Sequence, residues 1–184
     1  MGRLGTARRR LGRVLLADGA FAAAVGAFMV FGSVQAAAGQ VPPRRPLDAL
    51  AYALVVSAAA ALVGRRVWSL ATLVVTAAAT AGYLAVGYPY GPIVFAPIIA
   101  LYSATVRWRV GASLAACGLV AVAVLAPVLW VDHRPDGVAA APARLLLFVC
   151  VAPWVVGMVV RSARKGDLRL RVEHARRRVY EDRL

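Results

Sequence analysis

The chain has 184 residues, of which 61% are hydrophobic and 16% are charged, with a mean hydropathy of +0.72. Soluble domains are typically about 45–50% apolar and about 25% charged, so this composition excludes a soluble enzyme of this length. The 22 basic and 8 acidic residues give a net charge of +14, and the arginines cluster at the edges of apolar runs, which indicates contacts with anionic lipid headgroups and no nucleic-acid partner.

Six apolar segments approach the roughly 20 helical residues that cross a hydrocarbon core about 30 Å thick. The fourth is the shortest and contains Pro97, so a partly re-entrant segment is the alternative there. The fold predicted is all-α, a bundle of six transmembrane helices (14–160) between a basic cytoplasmic N-terminus (1–13) and a cytoplasmic juxtamembrane helix (161–184). The six spans are predicted at residues 14–38, 47–63, 67–86, 93–106, 110–131 and 144–160.

The basic residues also predict the orientation. If the N-terminus is inside, the inner segments carry 18 of them and the outer segments carry four. Because cytoplasmic loops are enriched in Lys and Arg, we expect a multi-pass protein of the plasma (inner) membrane with both termini in the cytoplasm. The first span has an apolar region of about 20 residues, longer than that of a signal peptide, so we expect it to be retained. Aromatic rings at helix ends favour the headgroup level, and this is expected of Trp68, Tyr88, Tyr90, Trp108 and Trp130.

Polar residues within the spans are few. Asp18 lies about one turn into the first span, and we expect it to pair with Arg13 or to reach the inner interface. Asp48 opens the second span, where a carboxylate suits the positive end of the helix dipole. A third feature is a stripe of threonines at intervals of four in the third span. A transporter could use such a stripe, but the pattern favours packing through bonds to backbone carbonyls. The stripe consists of Thr72, Thr76 and Thr80.

Groups that would carry catalysis are missing from the sequence. It contains no paired carboxylates, no Ser-His-acid set and no Gly-rich phosphate loop, and its two histidines stand far from other ligand residues. Metal catalysis needs three or four converging ligands. We therefore expect no enzyme activity, no cofactor and no metal. Small residues at Gly111, Ala115 and Gly118 could serve either packing within the chain or a dimer contact.

Residues 161–184 form a polar tail in which Asp167 can cap a helix beginning at about Leu168. Apolar residues then follow at intervals of four, three and four, as in the seam of a coiled coil. The pattern covers fewer than two heptads, so a basic helix lying on the lipid surface is the alternative. The candidate signal-relay seam consists of Leu168, Val172, Ala175 and Val179.

Two stretches resemble the amino-terminal membrane region of actinobacterial-type two-component sensor histidine kinases of the nitrate-sensor class. The first is Gly87-Tyr-Pro-Tyr-Gly-Pro-Ile93, followed by Ala100-Leu-Tyr102 and by arginines at 107 and 109. The second is Arg178-Val-Tyr-Glu-Asp-Arg-Leu184, which is similar to the lead-in to the phosphoacceptor helix of that family. The candidate outer-loop motif consists of Tyr88, Pro89, Tyr90, Gly91 and Pro92.

This resemblance implies a sensory input module that acts as a homodimer in the lipid bilayer and relays a signal to a kinase domain in cis or in trans. The family's lead-in continues into a His box whose histidine accepts phosphate. The sequence here ends at Leu184, before that box, so no kinase residue is carried over. We expect a piece of such a kinase or a free-standing relative of its input module. The alternatives are a small transporter or channel subunit, which would use the threonine stripe, and a scaffold whose tail binds a partner.

Overall fold

The computed structural model describes the backbone of residues 2–40, 44–131, 151–164 and 166, and the side chains of 16–40, 44–130, 151–164 and 166. The described part of the chain is helical and contains no strand. Short 3-10 turns, Leu62–Arg66 and Pro92–Val94, follow the second helix and precede the fourth. The helices are α1 (Gly2–Gly39), α2 (Ala49–Ala61), α3 (Ser69–Ala85), α4 (Phe95–Thr105), α5 (Val110–Val131) and α6, of which residues 151–164 are described.

Three of these helical stretches are long and apolar enough to cross a membrane: Leu16–Gly39, Ala49–Arg66 and Val110–Trp130. Two further apolar stretches, Ser69–Ala85 and Pro92–Thr105, are shorter. The all-helical prediction is therefore confirmed, and the six predicted spans are matched only in part. The shortest stretch would extend about 21 Å at 1.5 Å per residue, against a hydrocarbon core of about 30 Å.

Helix bounds differ from the predicted spans at several ends. The fifth span coincides with α5, whereas α1 begins at Gly2, well before residue 14. Likewise α6 does not end at residue 160, since the helix continues through residue 164 into the predicted tail. Pro97 does not interrupt α4, because it lies in the first turn of that helix, where a missing N–H is tolerated.

Helix α3 is central to the bundle and packs against α2, α4 and α5. Its buried face includes Leu73, Ala77 and Tyr83, while the outer faces of the bundle expose large apolar side chains such as Phe31 and Val122. An apolar exterior around an apolar core is what a lipid-facing helical protein requires. Between such helices, close packing and hydrogen bonds drive association, because lipid tails are as apolar as leucine.

Close approach between helices depends on glycine at several positions, of which Gly32 and Gly157 are two. A methyl group at Gly32 of α1 would lie 2.5 Å from Cγ of Pro92, and one at Gly157 of α6 would lie 2.9 Å from Thr105 of α4. By contrast, a methyl group at Gly111 or Gly118 would meet no atom of the described residues within 4 Å. Within those residues, the Gly111–Gly118 stripe of α5 is therefore not a packing surface.

The glycine contacts predict opposite effects for the same substitution. Gly32→Ala should destabilise the protein by about 1–3 kcal/mol, because the added methyl overpacks the contact with Pro92. Gly118→Ala is the matched control and should be neutral or stabilise by about 0.5–1 kcal/mol, since alanine favours a helix interior. Thermal unfolding of both variants in the same detergent measures this, and equal midpoints for the two would contradict the contact.

Candidate functional site

Polar side chains gather in two clusters at opposite ends of the helices. The tyrosine cluster lies where α1 ends, α2 begins and α3 connects to α4. The arginine cluster lies at the other end, where α2 connects to α3 and α4 connects to α5. The tyrosine cluster consists of Gln40, Arg44, Arg45, Asp48, Tyr88 and Tyr90, and the arginine cluster of Asp18, Arg65, Arg66, Arg107, Trp108 and Arg161.

The outer-loop motif predicted from the sequence lies in the tyrosine cluster. Gly87 adopts φ +84, a left-handed conformation that suits glycine and turns the chain after α3. Tyr88 is then fully buried, with its ring centroid 5.0 Å from that of Tyr83 and its hydroxyl donating to the carboxylate of Asp48. Tyr88 thus faces a carboxylate of the protein, and its level relative to the headgroups stays a prediction.

The rest of the motif connects this loop to α1. Gln40 donates from Nε2 to the carbonyl of Tyr90 at 2.7 Å and accepts from the Tyr90 N–H at 3.0 Å. The guanidinium of Arg44 lies 3.9 Å from the Tyr90 ring centroid. Gly91 and Pro92 contact the backbone of α1, and Pro89 is buried. The motif residues are thus brought together, and their contacts are those of a connection between helix ends.

Asp48 provides the electrostatic centre of the tyrosine cluster. It caps α2 by accepting from the Ala51 N–H at 3.0 Å, and it pairs with Arg45 at 3.1 Å. The hydrogen bond from Tyr88, followed by that cap, lowers the pKa of Asp48. Burial, followed by the bond to Asp48, raises the pKa of Tyr88. The pair is therefore held as a neutral phenol and an ionised carboxylate.

Asp18 holds the arginine cluster together. Its carboxylate is buried and lies 2.7 Å from Nη2 of Arg65 and 2.8 Å from Nε of Arg66. Arg65 is itself mostly buried, and its guanidinium lies 3.9 Å from the ring centroid of Phe21. The sequence predicted a pairing with Arg13, whose side chain lies outside the described residues. The partners found belong to the turn after α2.

The turn between α4 and α5 joins the same cluster through backbone groups. Arg107 donates to the carbonyls of Arg65 and Arg66, the former at 3.2 Å. Trp108 donates from its indole N–H to Oγ of Ser69 at 3.0 Å. Two turns that are far apart in sequence are thus tied to each other and to α1.

Three contacts made by its described residues attach helix α6 to this end of the bundle. Arg161 donates to the carbonyl of Trp108, and Trp154 donates to Oγ of Ser113 at 3.3 Å. Gly157 packs directly on Thr105 of α4. Because α6 runs on into residues 161–164, the start of the tail is connected to the arginine cluster.

The threonine stripe of α3 is buried, and its hydroxyls are bonded to backbone carbonyls. Thr76 bonds its own helix at 2.8 Å, and Thr72 donates to the carbonyl of Ala61 at the end of α2. Thr80 donates at 3.5 Å to the carbonyl of Ile93, which Pro97 leaves without its usual helical donor. The packing interpretation of the stripe is confirmed.

The relay seam at Leu168, Val172, Ala175 and Val179 lies outside the described residues and stays a prediction. Sequence reasoning missed the roles of Arg65, Arg66 and Gly157. A buried aspartate in an apolar span and a double arginine at a turn were the available signals. Neither signal indicates which residues pair, because Asp18 lies 47 positions from Arg65 and 48 from Arg66 in the sequence.

Comparison with protein-family models, with curated proteins and with solved structures gives no match for this chain. The geometry of the two clusters and of α6 is therefore the basis for a functional proposal.

Removing the Asp18 charge should destabilise the bundle. Asp18→Asn leaves the mostly buried Arg65 without its carboxylate, for which we expect a loss of about 3 kcal/mol. Unfolding by SDS, followed by tryptophan fluorescence, measures the loss. In the double variant Asp18→Asn with Arg65→Gln, part of the stability should return, because the uncompensated cation is gone. Additive losses in the double variant would show that the two groups do not interact.

The Asp48–Tyr88 pair predicts a pH window of stability. A lowered carboxyl pKa stabilises the fold above the ordinary value of 3.8, and this is lost as the pH falls through the lowered pKa. A raised phenol pKa stabilises the fold below the ordinary value of 10.0, and this is lost as the pH rises through the raised pKa. Tyr88→Phe should therefore be less stable than the parent between these limits, with the gap closing at both extremes.

Thermal midpoints of the parent and of Tyr88→Phe, measured across that pH range, test the window. Tyr52→Phe is the matched control, because Tyr52 lies on the exposed face of α2. A gap for Tyr88→Phe that does not vary with pH would count against the bond to Asp48.

Proposed function

We propose that this chain is the membrane input module of a two-component sensor histidine kinase, or a free-standing relative of such a module. It is a six-span protein of the inner membrane with both termini in the cytoplasm, and it acts as a homodimer. The signal leaves through the tail helix of residues 161–184. The observation that carries the proposal is the attachment of α6, which leads into that tail, to the ends of α4 and α5.

The attachment of α6 to α4 and α5 suits a relay because its described contacts lie close together on the helix. Arg161, Trp154 and Gly157 form the described polar and close-packing contacts of α6, and all three lie towards the arginine cluster. A signal needs two packings of similar free energy and a stimulus that favours one of them. A rotation or slide of α6 against α4 would exchange these contacts and move the start of the tail, residues 161–164.

The proposed orientation is supported by how the turns are grouped. Arg65, Arg66, Arg107 and Arg161 gather at one end of the helices, and Arg44 and Arg45 lie at the other. The first group comes from two turns and the end of α6, all in segments that the positive-inside rule assigns to the cytoplasm. Spans that alternate in direction bring these turns together at one face of the membrane.

The transporter alternative gains no support from the threonine stripe. All three hydroxyls are bonded to backbone carbonyls inside the bundle. A polar path for a solute would need such groups to face an open route across the membrane, whereas these hydroxyls bond carbonyls within α3, at the end of α2 and in the turn before α4. The sensory module is therefore the function that we put forward.

Cysteine cross-linking in native membranes tests the relay. Cys117 and Cys150 are first replaced, and single cysteines are then introduced at each position from Leu168 to Tyr180. A parallel dimeric coiled coil predicts cross-linking maxima at 168, 172, 175 and 179. Flat or absent cross-linking would mean that the tail is a basic surface helix and would remove the relay from the proposal.

A second arm asks whether α6 controls the tail. Gly157→Leu must displace α6 from Thr105, at a cost of about 1–3 kcal/mol, and should change the cross-linking pattern of the seam positions. Gly118→Leu is the matched control, since no described residue lies within contact of that glycine, and it should leave the pattern unchanged. An identical pattern in both variants would separate the tail from α6.

A further inference from the structure

A pocket of about 670 Å³ opens beside the arginine cluster, between α4, α6 and the turn that ends α2. Its lining combines two kinds of residue. Some are apolar, such as Ile99 of α4 and Val156 of α6, and four are arginines, namely Arg65, Arg66, Arg107 and Arg164.

The positive charge at this pocket is not balanced within the described residues. Asp18 is the one described carboxylate at this end of the bundle, and it forms ion pairs with Arg65 and Arg66. Asp48, the other described carboxylate, belongs to the tyrosine cluster. Neither Arg107 nor Arg164 has a carboxylate partner among the described residues. Counting the described residues alone, the four arginines therefore exceed the local acidic charge by three.

We propose that this pocket binds one acidic phospholipid molecule. The headgroup phosphate lies among the arginines, whose planar forks match phosphate oxygens, and the acyl chains lie along the wall that includes Ile99 and Val156. Basic pockets between membrane helices at the cytoplasmic side favour lipids with anionic headgroups. A free phosphate would contact only the arginines, whereas a lipid contacts both the arginines and the apolar residues of the pocket.

The exposed flank of α6 continues the apolar wall towards the membrane. Val155, Val156 and Val159 all expose more than two fifths of their surface. An acyl chain leaving the pocket therefore meets an apolar surface and never has to cross water. The inference rests on the membrane location in the proposed function but not on the relay, so either can fail without the other.

Native mass spectrometry of the purified full chain tests the site. The protein in neutral detergent is titrated with phosphatidylglycerol and, separately, with phosphatidylcholine carrying the same acyl chains. We expect one phosphatidylglycerol to be retained in preference to phosphatidylcholine. Arg164→Gln should weaken that binding about tenfold, the size expected for one charge-assisted hydrogen bond.

Arg109→Gln is the matched control, because Arg109 lies in the same turn as Arg107, is exposed and does not line the pocket. It should retain phosphatidylglycerol as the parent does. Equal losses in the two variants would reveal a general attraction to surface charge and overturn the site. Equal retention of the two lipids would overturn it as well.

A third arm separates the lipid from a free anion. Inorganic phosphate is added at increasing concentration to the complex with phosphatidylglycerol. Retention of the lipid supports the proposal, because the acyl chains hold it against the competitor. Displacement at millimolar phosphate would assign the pocket to a soluble phosphate-bearing solute and refute the lipid. Seam cross-linking, measured in parallel on Arg164→Gln, reports independently on the relay.

Discussion

A buried carboxylate near the start of the apolar stretch of α1 constrains the rest of this fold. Asp18 is removed from solvent, and an ionised group in such surroundings is tolerated only when paired. Its partners come from the turn after α2, which binds the end of that helix to α1. The carbonyls of the same turn then accept from Arg107, and the carbonyl of the next residue, Trp108, accepts from α6. These contacts form a series, so α1, the turns after α2 and α4, and α6 share one cluster of hydrogen bonds and ion pairs.

The opposite end achieves its connection by a different route. There Asp48 caps α2, accepts a hydrogen bond from Tyr88 and pairs with Arg45. One carboxylate therefore joins the segment before α2 to the loop after α3. Between the two ends, the core is built mainly from small and apolar residues, with glycine at the close contacts. Packing of that kind is weakly specific, because lipid and protein interior are equally apolar. Directional bonds at both ends therefore determine which helices are neighbours and how they are aligned.

Composition and periodicity could predict helices, and α5 begins and ends where the sequence placed it. They could also predict the packing role of the threonines, since a hydroxyl at intervals of four can always reach a carbonyl. They could not predict that Tyr88 faces inward, because a ring at a helix end looks the same in either direction. Its partner Asp48 is 40 positions away, and the partners of Asp18 are still more distant. Contacts of this range depend on the three-dimensional arrangement, and one-dimensional patterns carry little information about them.

The proposed lipid pocket lies beside the contact between α6 and α4. The pocket and the attachment of α6 share one helix: Val156 lines the pocket, and Gly157, the next residue, packs on Thr105. An occupant that presses on one side of α6 must change the free energy of the contact on the other. The four arginines make that free energy depend on the anionic character of the adjoining leaflet. Under the proposed function, a change in membrane composition would alter how α6 packs on α4, with no need for a soluble ligand to enter the bundle.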